Sequence, residues 1–255
     1  APNPSVEAIL HAIIPYRFVD HSHADAVVTL TNTAQGEERI RTLYGNRVLI
    51  VPYVMPGFDL AKKVAEMTLE TDWSELEGMV LMNHGLFTFS DDARSSYDAM
   101  IQLVSEAEME IGTRTTRAVV STELCTLDLA RLRSAVSHSA GFPMLARIDQ
   151  SDVSQDFTAR SNVTDIATRG PLTPDHVIRT KRVPLIVEGD FTESLARYTQ
   201  DYEDYFVRHS SDHHTRLDSA PRWAVWPGHG TVAFGRSLKD LYVVRDIVEH
   251  TCSAI

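Results

Sequence analysis

The sequence predicts an α/β fold made of two lobes, and three observations lead to this prediction. Strand-like and helix-like patterns alternate along the chain, and its 255 residues suit one large domain or two small ones. Segments 78–89 and 223–235 each show the pattern of a strand, a His-Gly break and a second strand. A helical pattern follows each segment. We interpret this weak repetition as the sign of a second, smaller α/β lobe. The predicted lobes are residues 1–120 and 121–255.

The first lobe opens with a predicted helix. Asn3 and Pro4 offer a capping side chain and a first-turn proline, and apolar residues from Val6 to Ile14 recur at helical spacing. These features predict a helix over 5–14. The pattern then predicts a strand over 18–31, a strand over 46–54, a helix over 58–69, a strand pair over 78–89 and a long helix over 91–118.

The second lobe repeats this alternation with more polar connections. Its predicted elements are a helix over 127–139, a strand over 143–149, a strand over 183–189, a helix over 191–210, a strand pair over 223–235 and a helix from 237. The polar segment 151–165 is predicted to be a loop. The segment after it carries a basic cluster, formed by Arg169, Arg179, Lys181 and Arg182. This cluster is either a phosphate-binding island or a salt-bridged structural loop.

Composition excludes several classes of protein. The formal net charge is −11 and the pI is about 5.4, which disfavours a nucleic-acid partner because such proteins usually carry a basic face. No apolar run reaches the ~18 residues of a membrane span, and the chain opens without the basic and apolar regions of a signal peptide. Cys125 and Cys252 are too few for a disulfide framework. We therefore expect a cytoplasmic protein whose partner is neither nucleic acid nor membrane.

Three histidines and one glutamate are candidate functional residues. His21 and His23 lie two apart in a predicted strand, so their rings share one side and suit a metal ion, although a hydrogen-bonded strand pair is the commoner case. His84 ends a strand before a glycine and is either a site residue or the cap of a turn. Glu7 is either a functional carboxylate or an acidic residue favoured by the helix dipole. His229 has no H-x-H pair at the matching distance, so we expect no metal there.

Four motifs, in this order, resemble the class II aldolase and adducin family. They are PSVE…H over 4–11, HSH over 21–23, VPYVMPGFDLA over 51–61 and MNHG over 82–85. In that family a Pro-Ser-x-Glu helix start precedes an H-x-H strand, a Pro-Tyr segment with a following glycine, and then a His-Gly turn. The resemblance covers residues 1–118. The remainder is similar to the aldolase half of bifunctional proteins that join a rhamnulose-1-phosphate aldolase to a short-chain dehydrogenase.

This resemblance implies an αβα layered sheet and a metal-dependent lyase. The family's three zinc histidines fall on His21, His23 and His84, and the implied cofactor is Zn²⁺ or another divalent metal. The family's catalytic carboxylate falls on Glu7. The serine of its phosphate pocket falls on Ser5, which is therefore the implied substrate-binding residue.

The implied reaction is retro-aldol cleavage of a sugar phosphate. The substrate would be a ketose 1-phosphate, first of all rhamnulose 1-phosphate, and the products would be dihydroxyacetone phosphate and lactaldehyde. Alternatives are another enolate reaction of the family (decarboxylation, epimerisation or dehydration) and a non-catalytic, adducin-like assembly domain. The resemblance also implies a homo-oligomer, usually a tetramer.

Two parts of the implied bifunctional protein have no counterpart in this sequence. The family's phosphate-binding loops lie upstream of Glu7, and the dehydrogenase half carries a G-x-G-x-x-G motif; neither is present here. We therefore expect a truncated N-terminal portion of the fold and a separate C-terminal dehydrogenase domain.

Overall fold

The computed structural model describes residue 5, residues 7–112 and residues 126–255. The chain forms two compact units, of which unit 1 lies mainly within residues 1–114 and unit 2 mainly within residues 115–255. The predicted lobe boundary, at residue 120, lies outside the described residues. So do four residues named above, Asn3, Pro4, Val6 and Cys125. Within the described ranges, no helix has both the length and the apolar character needed to cross a membrane.

Unit 1 alternates helices and strands, as predicted. Its elements are α1 (Ala8–Ile13), β1 (Phe18–Ser22), α2 (Asp25–Thr31), α3 (Gly36–Tyr44), β2 (Val48–Val51), α4 (Phe58–Met67), β3 (Gly78–Leu81), β4 (Gly85–Ser90) and α5 (Ala93–Ile111). Short 3₁₀ turns occupy Gly45–Arg47 and Trp73–Glu75. The helix α5 ends before Gly112, which has a φ of +76°. The rest of the helix predicted over 91–118 lies outside the described residues.

The four strands of unit 1 form one mixed sheet between two layers of helices. The strand order is β1-β4-β3-β2, with β1 and β3 antiparallel to β4, and β2 parallel to β3. Alternate residues of β3 and β4 point to opposite faces. Val80 and Leu86 pack with α2, α3 and α5, whereas Met79 and Phe87 pack with α1 and α4. This arrangement confirms the predicted αβα layering.

Unit 2 has the same architecture. Its elements are α6 (Thr126–Ala140), β5 (Leu145–Asp149), α7 (Asp152–Thr158), α8 (Val163–Ala167), α9 (Val177–Thr180), β6 (Leu185–Ile186), α10 (Phe191–His209), β7 (Trp223–Trp226), β8 (Gly230–Gly235) and α11 (Leu238–Ala254). The strand order, β5-β8-β7-β6, repeats the order and strand directions of unit 1. One face packs against α6 and α10, and the other packs against α7, α8 and α11. The prediction of a second α/β lobe is therefore confirmed.

Two predicted elements are wrong. The strand predicted over 18–31 ends at Ser22, and a helix, α2, follows it. Ala26, Val27 and Leu30 are buried together in one core cluster, and this packing outweighs the strand propensity of the valines.

The segment predicted as a loop over 151–165 contains α7 and the start of α8. The Ser151 hydroxyl accepts a hydrogen bond from the Ser154 N–H and begins α7. Phe157, Val163 and Ile166 supply enough apolar surface to bury both short helices. The high polar content of the segment concealed this pattern.

Candidate metal centre

Four predicted site residues meet at one end of the unit 1 sheet. His21 lies on β1 and pairs with Phe87 on β4, so the end of β1 lies beside the turn that joins β3 to β4. That turn carries His84, and His23 follows the last residue of β1. Glu7 directly precedes α1, the helix that packs on the Phe87 face of the sheet. The fold therefore brings together residues that lie up to 77 positions apart in the chain.

The side-chain donor atoms are close to one another. The Nε2 atoms of His21 and His23 are 3.0 Å apart. The Oε1 atom of Glu7 lies 3.2 Å from Nε2 of His21 and 3.0 Å from Nε2 of His84. One donor atom from each of the four side chains lies within 4.8 Å of all the others. A tetrahedral ion with bonds of ~2.0–2.1 Å sets neighbouring ligand atoms about 3.3 Å apart, so this spacing suits a single ion.

Backbone and aromatic contacts fix the ring of His21. Its Nδ1 lies 3.0 Å from the carbonyl oxygen of Leu86. Because that oxygen only accepts hydrogen bonds, Nδ1 carries a proton, and Nε2 faces the cluster, where it donates to Glu7 when protonated and offers a lone pair to an ion when deprotonated. Phe87 stacks on the same ring at 4.0 Å between centroids, with 15° between the planes. Both contacts orient His21 as metal-binding histidines are usually oriented.

Gly85 leaves the space that the imidazoles occupy. A Cβ atom at this position would lie 2.4 Å from the carbonyl oxygen of Ser22, 3.0 Å from Cδ2 of His23 and 3.1 Å from Cε1 of His21. Real Cβ atoms essentially never come within 3.0 Å of such a neighbour. The glycine of the His-Gly turn is therefore required for β1 and its histidines to approach β4.

The electrostatics of the cluster favour a bound cation. Hydrogen bonding with the rings of His21 and His84 holds the pKa of the Glu7 carboxyl far below its usual range, although burial acts in the opposite direction. Glu7 is therefore a carboxylate at neutral pH. His84 is 1% exposed, so water screens these interactions weakly. One negative charge among three imidazoles, largely out of water, is a donor set that fits a divalent metal ion.

Two further residues named from the sequence lie near this cluster. Ser5 is exposed, and its Oγ accepts a hydrogen bond from the Glu7 N–H at 3.2 Å, so it holds the chain that enters α1. His11, four residues after Glu7, is exposed and packs edge-on against Phe87 at 5.3 Å between centroids. Neither residue contributes to the group of donor atoms.

The corresponding turn of unit 2 has one histidine where the unit 1 cluster has three. Strand register makes Gly230 the equivalent of Gly85, and His229 the equivalent of His84. The same register places Ile148 and Gln150 where unit 1 has His21 and His23. The Gln150 side chain donates a hydrogen bond to the carbonyl oxygen of His229 at 3.1 Å. In the part of the chain that the structure describes, the four-residue cluster of unit 1 is the only group of this kind.

Sequence reasoning missed the residues that support the cluster. Leu86 and Phe87 contact His21 only because β4 pairs with β1, and that register is not visible in the spacing of either strand. Gly85 belongs to the His-Gly motif, but the motif alone does not reveal that this glycine makes room for β1 and its histidines. The available signal was the repeated His-Gly step, since a glycine at the same point of two related turns indicates a close backbone approach.

Two family models match the chain. A family model described as "Class II Aldolase and Adducin N-terminal domain" matches residues 1–111. A second model, "Aldolase class II, second domain", matches residues 123–255. The second match alone covers more than half of the chain.

Individual relatives match part of their own length. A Bacillus subtilis (strain 168) protein named "Uncharacterized oxidoreductase YuxG" is 31% identical over 261 residues, covering 92% of this chain and 37% of the relative. The chain therefore spans little more than a third of that relative. A class II aldolase domain of a conserved Thermoplasma acidophilum protein is 46% identical, with a TM-score of 0.39, over 44% of this chain and 50% of that one. A sugar-phosphate aldolase from Thermotoga maritima is 20% identical, with a TM-score of 0.35, over 46% and 59%.

Proposed function

The chain belongs to the class II aldolase and adducin family, and from this membership we propose that unit 1 is a metal-dependent aldolase. The proposed reaction is cleavage of a ketose 1-phosphate, with rhamnulose 1-phosphate as the first substrate to test. Its products would be dihydroxyacetone phosphate and lactaldehyde. The observation that supports this proposal is the convergence of Glu7 with His21, His23 and His84, whose donor atoms lie within 4.8 Å of one another.

In this proposal the three histidines are the metal ligands. His21 already has its Nδ1 bound to the Leu86 carbonyl oxygen, which leaves Nε2 for the ion. His23 and His84 complete a three-imidazole set, typical of sites that keep a position open for substrate. Zinc is the metal that we propose first, although other divalent ions also accept imidazole ligands. When bound, the ion supplies Lewis-acid stabilisation of the negative charge that develops on the substrate oxygens.

Glu7 moves the proton in the proposed reaction. A glutamate side chain is ionised at neutral pH, so Glu7 can accept the proton of the substrate hydroxyl next to the bond that breaks. The carbon–carbon electron pair stays with the phosphate-bearing fragment, and the aldehyde leaves. The same carboxyl group then returns a proton to the carbon that kept the electron pair. Ser5, at the start of the same segment, is the proposed phosphate contact.

The proposal extends to the setting of the enzyme. We propose that it works in the cytoplasm as a homo-oligomer, in keeping with the assemblies of its family. We also propose that the chain is one part of a longer protein, because its B. subtilis relative extends well beyond the matched region. The oxidoreductase name of that relative describes the whole relative, of which this chain matches 37%.

The decisive experiment measures bound metal and cleavage on the same samples. The protein is purified with zinc present, its metal content is determined by elemental mass spectrometry, and release of dihydroxyacetone phosphate from rhamnulose 1-phosphate is followed. We expect about one ion per chain. His23→Ala should lose the ion and more than about 100-fold in cleavage rate. Glu7→Gln should keep the ion but lose about 10²–10⁴-fold in kcat.

Two histidines serve as matched controls. His11→Ala removes an exposed imidazole four residues after Glu7, and His229→Ala removes the equivalent turn histidine of unit 2. Both variants should keep metal and activity. Loss of the ion in Glu7→Gln would make Glu7 a ligand instead of the proton carrier. A wild-type protein without bound metal, or unchanged cleavage in His23→Ala, would contradict the enzyme proposal.

A further inference from the structure

Unit 2 contains a cavity that the proposed aldolase site does not use. Its volume is about 250 Å³, and it lies between α10 and the chain that leads into β6. Its lining includes three tyrosines, the basic residues Lys181, Arg182 and Arg197, and the carboxylates of Glu188 and Asp201. A cavity of this size is at the lower end of ligand pockets and fits a small metabolite.

Lys181 is a buried amine in the wall of this cavity. The residue is 5% exposed. Its Nζ atom donates a hydrogen bond to the carbonyl oxygen of Asp218 and lies 3.8 Å from the centre of the Tyr202 ring. In the described part of the chain, no carboxylate lies within ion-pair distance of this Nζ atom. A lysine is rarely buried without such a pair, so the position calls for an explanation.

The backbone at Lys181 is in a conformation that favours glycine. Its φ is +58° and its ψ is −176°, a region that residues with a side chain rarely adopt. Strand register makes Leu185 of β6 the equivalent of Leu49 of β2. Leu49 pairs in parallel with Met79, two residues before the end of β3, and Leu185 pairs in parallel with Ala224, two residues before the end of β7. Counting back four residues makes Lys181 the equivalent of Gly45, which follows α3 with the same φ of +58°. Unit 2 thus places a lysine where unit 1 has a glycine, and such outliers cluster at functional sites.

The surroundings of Lys181 favour the neutral amine. Burial, followed by the positive charge of Arg222, lowers the pKa of Lys181 to about 7, with a smaller contribution from Arg216. The negative charge of Asp218 opposes this shift. The face of the Tyr202 ring, 3.8 Å from Nζ, also opposes the shift because it attracts the ammonium form, and burial raises the pKa of the Tyr202 hydroxyl, which stays neutral. A large share of the amine therefore carries a free lone pair at neutral pH, as nucleophilic lysines require.

We propose that Lys181 forms an imine with a small, anionic carbonyl compound held in this cavity. The amine lone pair attacks the carbonyl carbon, so a C–N bond forms and the π electrons of the C=O bond move to oxygen. A proton passes from nitrogen to that oxygen, the C–O bond breaks, and water leaves. The products are the imine and one water molecule, and the step requires no oxidant or reductant.

The anionic group of the ligand is assigned to Arg182. Arg182 is exposed, and its guanidinium carbon lies 5.3 Å from the centre of the Tyr205 ring, which also lines the cavity. No described carboxylate pairs with it, whereas Arg197 already lies 3.7 Å from a carboxylate oxygen of Glu188. An unpaired guanidinium beside a cavity suits a carboxylate or phosphate oxygen.

Reductive trapping on the full chain tests this proposal. The native protein is treated with pyruvate and cyanoborohydride at pH 7, digested, and analysed by mass spectrometry for reduced adducts at each lysine. Lys62 and Lys239, which are exposed, are the internal comparison. We expect Lys181 to be labelled at least about tenfold faster than either, because far more of its amine is neutral. Equal or slower labelling of Lys181 would overturn the proposal.

Variants distinguish imine formation at Lys181 from changes in folding and from effects of the candidate metal centre. Lys181→Gly should fold, because Gly45 occupies the equivalent turn, and it should lose the fast labelling phase. Lys181→Arg should lose the same phase, because a guanidinium stays protonated and has no free amine lone pair at pH 7. The ratio of pyruvate to acetone labelling should be at least about tenfold higher at Lys181 than at the exposed Lys62 in wild type, and this excess should disappear in Arg182→Met. An unchanged preference in that variant would overturn the assignment of Arg182. Labelling in His23→Ala should match wild type, so failure of the aldolase proposal would not affect this result.

Discussion

Replacing Gly85 with alanine should abolish metal binding while leaving most of the fold intact. The added Cβ would lie 2.4 Å from the carbonyl oxygen of Ser22, about 1 Å closer than the 3.4 Å at which ordinary contact begins. Because both partners are backbone, β1 must move away from β4 by a similar amount. Metal–ligand distances tolerate changes of only about 0.2 Å, so the histidines can no longer share an ion. We expect zinc affinity to fall at least about 100-fold, with a loss of about 1–3 kcal/mol in the free energy of unfolding.

The matched control for this variant is Gly230→Ala. Its Cβ would lie 2.2 Å from the carbonyl oxygen of Asp149, an overlap of the same kind at the equivalent turn of unit 2, at a φ of +124°. This variant should lose stability in unit 2 but bind zinc normally. Zinc affinity is measured by competition with a chromophoric chelator, and stability by chemical denaturation followed by circular dichroism. Zinc binding by Gly85→Ala with the affinity of wild type would refute the role assigned to the glycine.

Two other predictions concern stability. Below pH 7 Lys181 is protonated in both the folded and the unfolded protein. Between pH 7 and the ordinary lysine pKa of 10.5, Lys181 binds more protons in the unfolded chain than in the folded protein. The free energy of unfolding should therefore rise with pH across this window. The rise, on the order of a few kcal/mol, should be absent in Lys181→Met when denaturation is measured at pH 6 to 10. Tyr44→Phe removes a buried hydrogen bond of 2.6 Å from the Tyr44 hydroxyl to the carbonyl oxygen of Leu103, and should cost about 1 kcal/mol in the same assay. A loss in Tyr44→Phe no larger than that in an exposed tyrosine variant would count against this bond.

Strong periodic patterns predicted much of the fold. Both strand–His-Gly–strand segments, 78–89 and 223–235, are confirmed because continuous apolar runs on either side of a glycine leave few other structures open. The errors occur in segments with few apolar residues, where tertiary packing determines the secondary structure. The short helices α2 and α7 have only seven residues each, so a single buried face depends on two or three side chains.

The residues that converge at the candidate site were predictable, but the contacts that support them were not. The H-x-H spacing of His21 and His23 follows from strand geometry, which a single sequence reveals. Contacts of His21 with Leu86 and Phe87 depend on pairing between strands 65 residues apart, which spacing along the chain does not encode. The sequence identifies Lys181 only as one of four clustered basic residues, because neither its burial nor its unusual φ has a signature in composition.

The two units share one backbone arrangement but carry different side chains at equivalent turns. Both sheets have the same strand order and directions, and both turns keep glycine where β1 or β5 approaches the neighbouring strand. The two turns therefore differ only in side chains at these positions, with Ile148 and Gln150 in unit 2 where the candidate metal centre of unit 1 has two histidines. At the turns that precede the edge strands β2 and β6, it is unit 2 that has the functional group. Unit 1 has Gly45, which has no side chain, and unit 2 has Lys181, which has an amine. If both proposals hold, the repeated architecture carries two independent sites in the two units, and removal of metal from unit 1 should leave imine formation in unit 2 unchanged.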